Sequence, residues 1–213
     1  MIKAIVFDFD GVIVESVDIK TAAFAELFKK EGKAAVEKIV NYHLINTGVS
    51  RYEKFRYIYR EILRKDLTDN ELKELCDGFA SLVVEAIIRA PYVKGGKEFL
   101  DAYAGCYECF VASATPQSEI EEIIKRRDMK RYFAGIFGAP KKKTDAVKDI
   151  IRSKGLSPEE VAYVGDAMSD YEAADNNHCH FVARINNNEP IFSAIDCVKI
   201  KDLSGLKEEL DKL

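Results

Sequence analysis

The feature that most constrains this chain is a short apolar run that stops abruptly at acids. Residues 2–9 read IKAIVFDF, with Asp8 and Asp10 at and just beyond the end. Such a run lacks both helical length and polar alternation, so it predicts a strand buried on both faces. Four more runs share this character: 109–112 (CFVA), 135–137 (GIF), 161–164 (VAYV) and 181–185 (FVARI). Helical patterns separate them. Buried strands alternating with helices predict an α/β fold, a Rossmann-like parallel sheet core with helices on both faces. Parallel strands all end on one side of the sheet, so acids that follow them gather at one rim. That rim is where open α/β sheets bind ligands.

Residues 17–90 are different. They show no strand alternation. Phe24, Leu27 and Phe28 recur at helical spacing, as do Phe55, Ile58, Tyr59 and Ile62. A long helix is expected over about 69–90, stopped by Pro91. The chain is therefore expected to divide into a core domain, 1–16 and 91–213, and an inserted α-helical cap domain, 17–90. Within the core, Thr115-Pro116 predicts an N-cap followed by a proline at the first helical position. Ser157-Pro158-Glu159-Glu160 predicts a capping box, and Gly155 the C-cap of a helix starting near Thr144.

Charge and cysteine content narrow the class further. Thirty-two Lys plus Arg oppose 36 Asp plus Glu, a net charge of −4 that does not suit tracking a nucleic-acid backbone. The longest apolar stretches, such as 80–88, are interrupted or too short to span a bilayer, so no membrane partner is expected. Met1 leads straight into the first strand with no leader pattern, which points to the cytoplasm. Five cysteines at irregular spacing do not make a disulfide framework. Cys106 and Cys109 form a single C-x-x-C. His178, Cys179 and His180 lead into a strand, where alternate side chains face opposite ways, so no zinc site is expected. The oligomeric state is not legible.

The candidate chemistry lies at the strand ends. Asp8 and Asp10 are two apart in DFDGVIVES, and Gly11 lets the backbone turn tightly around a ligand. Their mutual repulsion calls for an opposing charge, naturally a hard cation with oxygen ligands. A second acidic pair, Asp166 and Asp170 in VGDAMSD, follows another buried strand. Ser113 ends the strand CFVAS, where its hydroxyl, with the N–H groups that follow from Ala114, can donate to an anionic oxygen. Lys143 stands just before the next helix and can neutralise both the acids and a bound phosphate; Lys141 is the fallback in the run Lys141, Lys142, Lys143.

Taken together, these residues resemble the haloacid dehalogenase-like hydrolases, a superfamily made up mostly of phosphatases. Asp8-Phe9-Asp10-Gly11-Val12 is similar to the first family motif, Ser113 to the second, Lys143 to the third, and Gly165-Asp166 through Asp170 to the fourth. The helical insertion resembles the family's α-helical cap. The resemblance implies that Asp8 attacks phosphorus and becomes an aspartyl phosphate, while Asp10 serves first as acid and then as base. It implies Mg2+ held by Asp8, by the backbone carbonyl of Asp10 and by Asp166, with Asp170 orienting this set. Ser113, Ala114 and Lys143 would bind the phosphoryl oxygens of a small phosphate ester.

Within the superfamily, phosphoglycolate phosphatases are the nearest resemblance and β-phosphoglucomutase the runner-up. Gly48-Val49-Ser50-Arg51 looks like the mutase's phosphate-gripping segment, which makes Arg51 the candidate for substrate specificity. However, Lys20 stands where that mutase family usually has histidine. Haloacid dehalogenases lack the second acid, so Asp10 argues against that activity. The complete acid set argues against a non-catalytic binding module.

Overall fold

The first strand, β1 (Ala4–Phe7), is fully buried, and its side chains divide between two cores. Ile5 and Phe7 pack on one side of the sheet, Ala4 and Val6 on the other. The computed structural model describes residues 1–185 and 190–213. It adds β2 (Glu108–Pro116), β3 (Gly135–Ala139), β4 (Val161–Gly165), β5 (His180–Arg184) and β6 (Val198–Ile200). Every pairing is parallel, and the order is β3-β2-β1-β4-β5-β6. The strand order reverses at β1 and β4, whose carboxyl ends carry Asp8 and Asp166. That switch point is where a doubly wound sheet opens a crevice.

One core is built with α5 (Gly96–Tyr103), α6 (Gln117–Arg126) and α9 (Leu206–Leu210), through Phe99, Leu100, Ile120, Ile123, Ile124, Leu206 and Leu210. The opposite core takes Ala146, Val147 and Ile150 from α7 (Lys143–Lys154), and Ala173 and Ala174 from α8 (Met168–Asp175). Gly155 ends α7 in the left-handed conformation with φ +63°, as expected of a C-cap glycine. Ser157 N–H donates to Glu160, but the turn it caps is only the short 3-10 segment Pro158–Glu160.

The inserted segment contains helices and no strand. It consists of α1 (Val17–Leu27), α2 (Lys33–Ile45), α3 (Arg51–Tyr57), a wider-wound continuation over Ile58–Leu63, and α4 (Asp69–Arg89). Thr68 and Glu71 cap α4 reciprocally. Phe24, Phe55 and Phe79 meet in an aromatic cluster, with centroids 4.8–6.1 Å apart, that draws these helices together. The two connections to the sheet run side by side. Glu15 N–H donates to Pro91 O at 3.0 Å, and Val93 N–H to Ile13 O at 2.9 Å.

One local expectation is corrected. Thr115 is not the N-cap of α6. Strand β2 continues through Pro116, with a register shift against β3 between Ala112 and Pro116, and α6 begins at Gln117. The Thr115 hydroxyl is used elsewhere, in the site below. Among the described residues, no helix is long and apolar enough to cross a membrane.

Candidate active site

Asp8 follows β1 and is 4% exposed. One carboxylate oxygen accepts from Phe9 N–H at 2.6 Å, the other from Lys143 Nζ at 2.9 Å. Lys143, at the start of α7, also reaches Asp170 Oδ1 at 2.6 Å. The second oxygen of Asp170 accepts from Ala167 N–H at 3.1 Å, which holds this fully buried side chain across the loop after β4. One ligand oxygen each from Asp8, Asp166 and Asp170 lies within 4.8 Å of the others. The expected convergence of acids from two strand ends is therefore realised, with Lys143 threaded between them. Lys141 is outside the site and pairs with Asp149 on the surface.

Crowding of like charge shows in the acidities. Burial, reinforced by Asp170 and Asp10, pushes the Asp8 carboxyl up to about 7 despite the Lys143 ammonium. Burial and repulsion from Asp8 and Asp170 raise Asp166 well above the usual carboxylate range. Lys143 responds oppositely: burial alone would lower it, but Asp170 and Asp8 outweigh that and hold it charged. With one lysine among three acids, Asp8 and Asp166 are held toward their protonated forms for want of positive charge. Oxygen donors gathered this tightly suit a hard divalent cation.

The glycines show how closely the loops approach. Gly11 has φ +79°, and a Cβ there would lie 2.3 Å from an Asp166 carboxylate oxygen. A Cβ on Gly165 would meet Asp170 at 2.2 Å. Arg184, from the end of β5, supports the first loop by donating to Gly11 O at 2.9 Å while pairing with Glu15 at 2.7 Å.

Asp10 is held apart from this cluster. Ser16 Oγ donates to Oδ1 at 2.6 Å, while Lys20 Nζ at 2.5 Å and Thr115 Oγ1 at 2.9 Å reach Oδ2. Burial works against ionisation of Asp10, but the Lys20 charge and these hydrogen bonds outweigh it and lower its pKa. Lys20 was notable in the sequence only as a departure from a histidine, and Ser16 and Thr115 carried no signal of this role. Ser113 is buried, with Oγ accepting from Thr115 N–H at 3.1 Å, and Ala114 lines the cleft beside it.

A narrow cleft lies between this rim and the inserted helices, whose Val17, Lys20, His43, Thr47 and Gly48 face Asp8, Asp10, Ser113 and Asp166. Gly48 touches the start of α8, where Ser169 Oγ donates to Gly48 O at 3.1 Å. Arg51 is placed less simply than expected. It is 5% exposed, stacks 4.7 Å from the Phe79 ring centroid, and forms a two-pronged pair with Glu119 of α6 at 2.8 and 2.6 Å. Its guanidinium thus bridges the insert and the sheet layer, beside a recess that shares Lys20, His43, Thr47 and Ala114 with the cleft.

A family model described as haloacid dehalogenase-like hydrolase matches residues 5–184. The chain belongs to that family, in its phosphatase branch with a helical insert. It is similar to a phosphorylated carbohydrates phosphatase of Thermotoga maritima, 25% identical over 177 residues that cover 81% of this chain and 80% of the relative. It is also similar to a phosphoglycolate phosphatase of Vibrio cholerae, 23% identical with coverage of 97% and 96%. Among solved structures, a predicted phosphoglycolate phosphatase from Haemophilus somnus superposes with TM-score 0.78 at 21% identity, covering 98% and 97% of the two chains. The HAD-hydrolase YfnB of Bacillus subtilis, bound to magnesium, superposes with TM-score 0.75 at 12% identity, covering 99% of each.

Proposed function

We propose that this hydrolase is a magnesium-dependent phosphatase that cleaves a small phosphorylated metabolite through an aspartyl phosphate on Asp8. The observation that carries the reading is the placement of Asp8 at the switch point, against Asp166, with Lys143 on one of its oxygens. Three carboxyl groups gathered with too little positive charge to ionise them all support a divalent cation, and the names of the curated relatives support a phosphorylated metabolite as substrate.

In this reading Asp8, the Asp10 backbone carbonyl and Asp166 hold Mg2+. When bound, the ion offsets the repulsion between an anionic nucleophile and an anionic substrate. Asp8 attacks phosphorus with its carboxylate oxygen, and Phe9 N–H orients that carboxylate. Lys143, Ser113 and the N–H of Ala114 bind the transferring phosphoryl oxygens. Asp10 gives a proton to the leaving oxygen and then takes one from the attacking water. The Lys20, Ser16 and Thr115 contacts favour its carboxylate form, the form needed for the second half of the cycle. Asp170 acts through others: it fixes Lys143 and the Ala167 backbone, and so shapes the loop that presents Asp166.

Residues 17–90 serve as a cap domain over a core of 1–16 and 91–213. The paired connections at Ile13–Glu15 and Pro91–Val93 are the hinge. Closure excludes water from the acyl phosphate until Asp10 directs it. The test is turnover of a generic aryl phosphate with and without Mg2+. Hydrolysis that requires the ion and disappears in Asp8→Asn supports the reading. Ion-independent hydrolysis, or activity that survives in the variant, refutes it. Following a sugar monophosphate by product analysis separates the mutase alternative: a phosphatase releases orthophosphate, a mutase an isomeric phosphate.

A further inference from the structure

We propose that Arg127 is a positioning residue for the phosphoryl transfer, an inference that rests on the phosphatase reading above. It pins the end of α4 to the core at the hinge, so that the insert closes over Asp8 by turning about that point. Arg127 directly follows α6, whose Ile120, Ile123 and Ile124 are buried in the core. Its side chain reaches across to the insert. Nη1 donates to Ile87 O and Ile88 O at 2.8 Å each and to Ala90 O at 2.7 Å. The guanidinium also lies 4.7 Å from the centroid of the Tyr92 ring, in the connection back to the sheet.

The backbone explains why a cation is wanted here. The last four carbonyls of a helix lack their usual donors. Ile87 O would take the N–H of residue 91, which proline lacks, and accepts from Ala90 N–H at 3.2 Å instead. The negative end of the dipole of α4, a helix of 21 residues, falls at the same place. One arginine answers both needs. Its Nε is buried with no partner among the described residues, so the side chain forgoes a hydrogen bond to reach these carbonyls.

The location of these bonds decides their role. Ala90 adjoins the paired connections, where Glu15 N–H meets Pro91 O and Val93 N–H meets Ile13 O. Arg126 adds a surface pair with Glu85 beside the pin. The other contact between α6 and the insert lies farther out. There Arg51 donates to Cys76 O and pairs with Glu119 at the start of α6. Cys76 is eleven residues from Ile87, about 16 Å along α4. A turn that parts Arg51 from Glu119 would leave bonds near the axis almost unmoved. The seam therefore has a fixed end and an opening end. From the fixed end the effect reaches the chemistry. Phe79 of α4 carries Phe24 of α1, 4.8 Å between centroids, and α1 carries Lys20 onto Asp10.

The test compares wild type, Arg127→Met and Arg127→Lys in aryl phosphate turnover with Mg2+, per folded protein and well below Tm. Arg127→Met is expected to lower kcat by about ten- to a hundredfold, the range for hydrogen bonds to charged groups. The inhibition constant of orthophosphate, held by the core residues Ser113, Ala114 and Lys143, should stay unchanged. Arg127→Lys should recover part of the loss, because all three bonds come from one nitrogen and an ammonium offers three donors. A lower Tm with unchanged kcat would show that Arg127 only stabilises the fold, and no recovery in Arg127→Lys would show that its cation is not what matters; either overturns the inference. A second measurement needs no variant: hydrogen exchange of the wild-type protein with Mg2+, with and without orthovanadate as phosphate mimic. The amides of Ala90 and Val93 should be equally protected in both samples, while Val49, beside the Gly48–Ser169 contact, gains protection with the mimic. Protection of Ala90 and Val93 that arises only with the mimic, or none gained at Val49, overturns the inference and leaves the phosphatase reading intact. No turnover by the wild-type protein overturns both.

Discussion

Replacing Lys143 by methionine tests the electrostatic account of the site most sharply. The substitution keeps the side chain's length and removes its charge. It leaves Asp8, Asp166 and Asp170 with ligand oxygens within 4.8 Å of one another and without the ammonium that bonds two of them at 2.9 and 2.6 Å. Removing one partner from a buried ion pair typically costs about 3–5 kcal/mol. In a chain of this length each kcal/mol moves Tm by roughly 2–4 °C, so the metal-free variant should melt about 6–20 °C below wild type near pH 8. The loss must also depend on pH with a definite sign. With the lysine gone, the folded protein must protonate carboxyls that the unfolded chain leaves ionised. The folded state then binds more protons, so the deficit grows as pH rises above the ordinary carboxylate range and shrinks toward pH 5. Mg2+ should recover part of it by supplying the missing positive charge. The assay is thermal unfolding at pH 5 and pH 8, with chelator and with Mg2+. A deficit of equal size at both pH values would show that Lys143 contributes packing and not charge balance.

The remaining predictions concern the ion, the acids and the bridge to the insert. Mg2+ affinity should rise with pH through about 7, because protons compete for Asp8, whose carboxyl sits at about 7, and for Asp166, whose carboxyl is also raised. Calorimetry in buffers of different ionisation enthalpy would detect the released proton, and a flat affinity would contradict the raised acidity of Asp8. The metal-free wild-type protein should lose stability as pH rises from about 4 to about 7, since a carboxyl raised from 3.8 on folding contributes stability only while it is protonated. Asp166→Ala should weaken Mg2+ binding more than Asp170→Ala does, whereas Asp170→Ala should lower Tm more, because its carboxylate anchors Lys143 and the Ala167 backbone; equal effects in both assays would mean the two acids share one role. Arg51→Ala and Glu119→Ala should raise KM similarly for every ester, and the double variant should be no worse than either alone. Additive losses would show that the two residues act independently.

The sequence made legible what lies along strands and at their ends. Asp8, Asp166 and Ser113 each follow a run whose burial on both faces is written in its composition, and the helix over Asp69–Arg89 matched its expected span closely. Lys143 was separable from Lys141 by its position at the helix start. What was not legible depends on contacts between distant segments. Lys20 and Thr115 meet Asp10 across 10 and 105 residues, and His43 meets Lys54 only because α2 and α3 fold onto Phe24. Arg184 ended a strand and carried no motif, yet it supports the Gly11 loop. The edge strand β6 has three residues, too few to show a period. Thr115-Pro116 looked like a helix start because local propensity favoured it. The third dimension gave the hydroxyl to Asp10 instead and let the strand run on.

The central claim, that Asp8 is the nucleophile, is tested most directly by trapping the intermediate. The protein with Mg2+ is mixed with an aryl phosphate, quenched in acid within a turnover, digested, and mapped by mass spectrometry. The account predicts a phosphoryl group on the peptide containing Asp8, at that residue, absent from Asp8→Asn and from a sample without Mg2+. Continued turnover with no phosphoryl-protein at any time, or the group found on another residue, would contradict it.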